Sequence, residues 1–506
     1  MKRTYMKKGL GIIFMLGGIC LFSACEQDDL YLGKPVDESQ YEGIYKDNSF
    51  AICDAQSGSQ ITVVELYNQD FFKNYATYIR VELSKPANRE MNAQVSIDPE
   101  YLVTYNKEHF TDFEMYPQTL IELGHTEIAL EEDNEVPQTE IVQIAAGTKS
   151  GLLPLIIHYG EDVEKDKTFA LPIKVIGQNG TPDNYTIYLI KNFSNSNDCN
   201  KKELNPEYDI KGCLFFEVND VNPLNAFSFE LGNGKLLWDV VVLFAANIKY
   251  DAVAGRPYLH CNPNVRYLLD NNETLIQPLR KRGIKVLLGV LGDHDDAGLA
   301  QLSRPAAKEF AREVAKFCQV YKLDGVNYDD EYSKENPDLS NPVFVTPSKE
   351  AAAYLCYETK QAMPDKWVSV YDYHKMYGVS YVDGHPVNEW IDLVVPDYGQ
   401  TVQWIDGMYL DRCALFSMEF NRGTGGNLNS YSANQLQKGR GYRWFMGFSA
   451  NPRYFMKEHE YSDSPVPSIW SRLTGVKDLY GFPLKEPSIY YEKNDPQPKP
   501  FGMLGN

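Results

Sequence analysis

The chain has 506 residues, enough for two or three domains, and 43% of them are hydrophobic, enough for large cores. A formal net charge of -20 argues against a nucleic-acid binder, which would present a basic surface. The nine cysteines are scattered with no C-x-x-C pair, so neither a zinc site nor a disulfide framework is expected.

Residues 1–25 read as a secretory signal. Lys2, Arg3, Lys7 and Lys8 form its positive end, and Leu10 to Phe22 form an apolar core too short for a membrane span. The stretch Leu21 to Cys25 resembles a lipobox, in which the cysteine is acylated and becomes the mature N-terminus; Phe22 stands where Leu is usual. Glu26, Asp28 and Asp29 follow and resemble the acidic export tag of surface lipoproteins in diderm gut bacteria. These resemblances imply a lipid anchor on Cys25 and a place on the outer membrane at the cell surface. An ordinary cleaved signal peptide is the competing reading.

Residues 26–48 are polar and punctuated by Gly and Pro, as in a tether. From 49 to 195 the pattern is short strands between turns, predicting an all-β, immunoglobulin-like sandwich. Strands are expected at Ile61–Tyr67, Ala76–Leu83, Gln94–Ile97, Thr139–Ile144, Thr168–Val175 and Tyr185–Ile190. No cluster of acids, histidines or nucleophiles there asks for a catalytic reading. Segments Leu83–Ala87, Ile144–Thr148 and Phe169–Ile173 resemble the immunoglobulin-like domain found at the N-termini of surface glycan-utilisation lipoproteins. A polar linker at 196–206 comes next.

Beyond the linker, apolar runs alternate with helical patterns. Strands are expected at Cys213–Val218, Asp239–Ala245, Lys285–Leu291, Gly325–Glu331, Trp367–Tyr371, Leu393–Tyr398, Ala414–Glu419 and Arg443–Phe448. Helices are expected at Asn264–Arg282 and Arg304–Tyr321, where apolar residues recur at helical spacing. Eight strands within 207–482 match the size of a TIM barrel, and the stretches 374–392 and 399–413, broken by Gly and Pro, predict irregular later connections. The Pro-rich residues 483–506 are expected to wrap the surface as a tail.

Within the barrel the stretch Leu323 to Glu331 stands out. Alternate side chains of a strand share a face, so Asn327, Asp329 and Glu331 point one way, and Val326 and Tyr328 the other. Two aligned carboxylates raise each other's pKa, a poor way to build a core and a good way to set an acid beside a base. A solvated acidic strand end is the bland alternative. Against it, the strand follows an apolar helix pattern with Phe310, Val314, Phe317 and Tyr321, as at the active face of a barrel enzyme.

The stretch matches the D-G-x-[DN]-x-D-x-E signature of glycoside hydrolase family 18, and it resembles most the endo-β-N-acetylglucosaminidases of the endoglycosidase H and F type. Phe216–Asn219, Leu243–Asp251, Tyr258–His260, Gly283–His294 and Pro396–Gly399 support the resemblance. It implies hydrolysis of the GlcNAc-β-1,4-GlcNAc core of N-glycans with retention, assisted by the substrate's own acetamide. Glu331 is then the general acid, Asp329 orients the acetamide, and Tyr398 hydrogen-bonds the acetamide oxygen. Asn327, Glu217, Asn247, His294 and Asp293 are expected to contact substrate. Asn327 stands where chitinases often carry Asp, and it can hydrogen-bond Asp329 without sharing a proton. No metal or cofactor is implied, although Asp293, His294, Asp295 and Asp296 look like a metal cluster on spacing alone. The partners implied are N-linked glycans and a membrane, not nucleic acid, and a monomer is expected. The 13% aromatic content suits stacking on sugar faces, though tyrosine also fills β-sandwiches. A chitinase-like hydrolase and a non-catalytic glycan-binding lipoprotein are the rival readings; a binder of this scaffold usually loses the acid, and both Asp329 and Glu331 are present.

Overall fold

The structure is a computed structural model that describes residues 49–68, 72–124, 139–165, 167–177, 181–193 and 209–501. The expected signal, Cys25, tether and linker lie outside the described residues. In the first part of the chain, strands with one apolar face stack as two sheets. One sheet runs Phe50–Asp54, Asn74–Leu83, Ser150–His158, Ile121–Leu123. The other runs Ile61–Leu66, Asn184–Asn192, Thr168–Val175, Met91–Ile97, Thr139–Ile144. Ile61–Leu66 alternates exposed and buried residues along its length, as a half-buried strand must. Val64, Ile79, Val81, Val95, Leu155, Ile173 and Ile190 meet between the sheets.

This sandwich also holds elements absent from the expected set. Ser150–His158 carries Gly151 and Pro154, residues that weaken a strand reading, yet it pairs along its whole length with Asn74–Glu82. A helix at Pro99–His109 starts where Asp98 accepts the amides of Glu100 and Tyr101, and stops at Phe110 in the left-handed region.

The second part is the expected barrel. We number its strands β1 Lys211–Glu217, β2 Val240–Asp251, β3 Lys285–Leu291, β4 Gly325–Asp329, β5 Trp367–Asp372, β6 Leu393–Pro396, β7 Ala414–Glu419 and β8 Trp444–Phe448. They pair in parallel in the order β6-β5-β4-β3-β2-β1-β8-β7. The ring closes between β6 and β7 through a bridge of Val394 with Cys413 and a 2.5 Å hydrogen bond from Ser417 Oγ to the Pro396 carbonyl. β2 runs past the rim and pairs antiparallel with Arg256–His260.

Strand alternation sorts the side chains. Cys213, Phe215, Val242, Leu287, Val395, Trp444 and Met446 fill the barrel interior. Leu214, Phe216, Val286, Leu288, Val326 and Tyr328 face the surrounding layer. Helix α1, Arg304–Val320, packs there through Phe310, Val314 and Cys318, with Pro305 in its first turn. Helix α2, Lys349–Ala362, is capped by Ser348. The single helix expected over 264–282 is instead three pieces, Pro263–Asp270, Asn272–Leu275 and Gln277–Lys281. Pro278 supplies a reason, since it lacks an amide donor and restricts the residue before it. The last piece places Arg280, whose guanidinium grips Asp324 at 2.8 Å on both oxygens below β4. After β5 and β6 the connections are a short hairpin and single turns, as the Gly and Pro content predicted. The described part of the tail is stitched to the loop after β1, where Asn225 exchanges two hydrogen bonds with the Tyr491 backbone.

Candidate active site

β4 ends at Asp329, two residues earlier than expected. The Asp329 carboxylate accepts the Glu331 amide at 2.9 Å and turns the chain, and Tyr332 follows in the left-handed region at φ 62°. Glu331 therefore projects from a turn at the mouth rather than from the strand. The β3 loop fixes that turn, because the Gly292 amide donates to the Glu331 carbonyl at 3.0 Å and the His294 amide to Tyr332 at 2.8 Å. A Cβ on Gly292 would lie 2.3 Å from the Ser333 nitrogen, so only glycine allows this approach.

Asp329 sits on the inward face of β4, 3% exposed. Burial pushes its carboxyl well up, and the negative charges of Glu331, Asp330 and Asp397 push the same way against the one amide hydrogen bond. Asp330 is also buried, which raises its carboxyl, and its Oδ1 has no hydrogen-bond partner.

Tyr398 follows β6. Its amide donates to Asp397 at 2.7 Å, and that carboxylate also accepts the Tyr371 hydroxyl at 2.7 Å. Burial raises the Tyr398 phenol far above its usual range, helped by Glu419, Asp329, Glu331 and Asp397, so it remains a hydrogen-bond donor at any ordinary pH. Tyr398 packs against Tyr371 on β5 with ring centres 6.1 Å apart, next to the strand that carries Asp329.

The remaining expected residues divide. Glu217 ends β1, is raised by burial, and accepts the Asn219 side chain at 2.6 Å. Asn247 donates to the Gly292 carbonyl at 2.9 Å, which couples β2 to the loop holding Glu331. His294 lies edge-on to Tyr332 with ring centres 5.5 Å apart, and Asp293 pairs with Lys249 at 2.6 Å. Asp295 instead accepts the Ala297 amide and Asp296 accepts Lys334, so the acidic run diverges, and among the described residues no His, Cys, Asp and Glu group could hold a metal. One contact differs from expectation. Asn327 does not bond Asp329; it is fully buried one layer lower, and its Nδ2 donates to Ser369 Oγ on β5 at 2.9 Å, because the β4–β5 register sets those two residues side by side.

Tyr371, Asp397 and Glu419 belong to the same mouth and carry no role in the sequence reading. Tyr371 is the last inward residue of β5, Asp397 follows β6 and Glu419 ends β7, a signal that the expected strand ends already contained.

Comparison with known proteins agrees with this geometry. A family model for an N-terminal domain matches residues 41–182. The chain is 40% identical over 295 residues to endo-β-N-acetylglucosaminidase F1 of Elizabethkingia meningoseptica, covering 56% of this chain and 83% of that protein. It is 36% identical over 159 residues to an endo-β-N-acetylglucosaminidase of Flavobacterium sp. strain SK1022, covering 31% and 49%. Crystal structures of Bacteroides thetaiotamicron EndoBT-3987 are 49% identical with a Man5GlcNAc product and 48% identical with a Man9GlcNAc2Asn substrate. Each covers 89% of this chain and 99% of its own, with a TM-score of 0.57. The chain thus belongs to the endo-β-N-acetylglucosaminidases of glycoside hydrolase family 18.

Proposed function

We propose that this enzyme cuts the GlcNAc-β-1,4-GlcNAc core of high-mannose N-glycans, leaving one GlcNAc on asparagine, by a substrate-assisted retaining mechanism. One observation carries the reading: a buried carboxyl, Asp329, hydrogen-bonded to the backbone of a second, Glu331, at the mouth of a TIM barrel. The substrate class follows EndoBT-3987, whose structures hold Man5GlcNAc and Man9GlcNAc2Asn.

In this mechanism Glu331 protonates the glycosidic oxygen. The acetamide oxygen of the same sugar attacks the anomeric carbon, the bond to the leaving GlcNAc breaks, and an oxazolinium forms. Asp329 accepts the acetamide N–H. Burial and the neighbouring negative charges disfavour its charged carboxylate, and the positive charge growing on the oxazolinium reverses that preference. Tyr398 donates to the acetamide oxygen and holds it for attack. Glu331, now a carboxylate, takes a proton from water, which opens the oxazolinium from the face the leaving group vacated.

Mass spectrometry of a glycoprotein with defined Man5 and Man9 sites tests this. The expected product keeps a single GlcNAc per site. Loss of the whole glycan would indicate an amidase, release of terminal sugars an exo-enzyme, and tight binding with no mass change a binding protein. We further propose a lipid anchor at Cys25, supported by the apolar run before it and the acids after it. Cys25→Ala should abolish lipid labelling and free the protein from membranes; a wild type without lipid refutes the anchor.

A further inference from the structure

Glu419 is a carboxyl that the proposed reaction does not use. It ends β7 on the inward parity and is 2% exposed. Its Oε2 accepts the Arg422 amide at 2.8 Å, its own amide donates to the Thr424 carbonyl at 3.1 Å, and its carbonyl accepts the Gly423 amide at 3.0 Å. These bonds close a tight turn over 419–424. Oε1 is buried without a hydrogen-bond partner; burial raises this carboxyl, and the positive charges of Arg422 and Arg472 with the amides of Arg422 and Asn421 oppose that and favour its charged form.

The turn delivers Gly425 onto Tyr398. Gly425 has φ +79°, and a Cβ there would lie 3.2 Å from Tyr398 Cδ1 and 2.3 Å from the Ser417 carbonyl. The backbone of Gly425 is therefore the surface on which the phenol ring rests. Arg472, 3% exposed, clamps the turn from behind. It donates to the Glu419 carbonyl, to the Thr424 and Gly426 carbonyls at 2.7 Å each, and to Asn427 Oδ1 at 2.7 Å. None of these partners is charged. A buried guanidinium without a counter-charge is costly, and Glu419 is the carboxylate that acts on Arg472. Among the described residues the seam between β6 and β7 is joined by the Val394–Cys413 bridge and the Ser417–Pro396 bond rather than by a paired strand ladder that would hold Tyr398 against β7.

From this geometry we propose that Glu419 is a positioning residue for Tyr398: its carboxylate balances Arg472, keeps the 419–426 turn closed, and so sets the Gly425 surface that aims the phenol at the substrate acetamide. The proposal rests on the role given to Tyr398 above.

A double-mutant cycle tests it with the full chain and Man9GlcNAc2Asn as substrate. Glu419→Gln preserves shape and one acceptor oxygen and removes the charge. We expect kcat to fall about tenfold with KM within about twofold, a coupling of the size packed neighbours show. In a Tyr398→Phe background the same substitution should add nothing, because the group it positions is gone. Gly425→Ala approaches the contact from the other side and should show the same loss and the same non-additivity; it decides the matter if Glu419→Gln fails to fold. Equal factors in both backgrounds would overturn the proposal, as would an unchanged kcat. A Tyr398→Phe variant as active as wild type would remove the phenol's role and the proposal with it. A wild type silent on this substrate would instead refute the proposed reaction.

Discussion

Glu331→Gln separates acid catalysis from every other contribution of the site. The substitution keeps the shape of the side chain and removes the proton that the glycosidic oxygen needs. Glu331 is only half-buried, and its backbone carries the bonds to Asp329 and Gly292, so the turn should survive. The neighbouring carboxyls are engaged in other contacts, Asp329 with the Glu331 amide at 2.9 Å among them. Asp397 is held by Tyr371 and Tyr398 at 2.7 Å, Glu217 by Asn219 at 2.6 Å, and Glu419 by the Arg422 amide at 2.8 Å. General acid–base catalysis contributes about 10²–10⁴-fold, and the same residue serves both half-reactions. We therefore expect a loss near the upper end, about 10⁴-fold, or about 5 kcal/mol of barrier. Time courses on a Man9 glycopeptide measure it, with binding of the uncleaved glycan and the thermal midpoint as controls. A variant that stays within tenfold of wild type, while folded, would refute the assignment of the acid.

Asp329→Asn should slow oxazolinium formation yet accept a preformed sugar oxazoline as donor, since activation has already occurred; equal loss on both substrates would place Asp329 outside that step. The same variant bears on stability. A carboxyl raised on folding contributes stability that is fully present below its unfolded pKa and is lost as pH rises through the folded one. Wild type should therefore weaken toward alkaline pH through this group, and Asp329→Asn should flatten that part of a thermal-midpoint profile. Asn327→Asp buries a further carboxyl one layer below Asp329, where Oδ1 has no partner; the coupled pair should shift the pH–rate profile and lower stability as pH rises, and an unchanged profile would mean the two do not interact. A chain beginning at Glu203 should cleave a soluble glycopeptide at a rate similar to full length, because all proposed catalytic residues lie beyond it. The described contacts across to the sandwich include Lys281 with Glu65 at 3.1 Å, an exposed pair of small expected worth. A folded but inactive barrel would show that the sandwich helps form the site.

Much of this architecture was legible because it depends on periodicity. Alternation along β4 predicted that Asn327, Asp329 and Glu331 share the inward face and that Val326 and Tyr328 pack outward; Val326 and Tyr328 do pack outward, but the strand ends at Asp329 and Glu331 leaves it. The eight barrel strands were equally readable as apolar runs of strand length. Other features depended on contacts between residues far apart in the chain. Ser150–His158 looks unfit for a strand until Asn74–Glu82 lies beside it and supplies the ladder. The partner of Asn327 is Ser369, 42 positions away, and only the β4–β5 register brings them within 2.9 Å. Glu331 sits in a turn because the β3 loop bonds its carbonyl, a contact with no local pattern. The burial that raises Asp329, and the turn that places Gly425 beneath Tyr398, arise from barrel closure. Local spacing determines which face a side chain takes. Its neighbours, and with them its protonation and aim, are decided only when distant strands set their register.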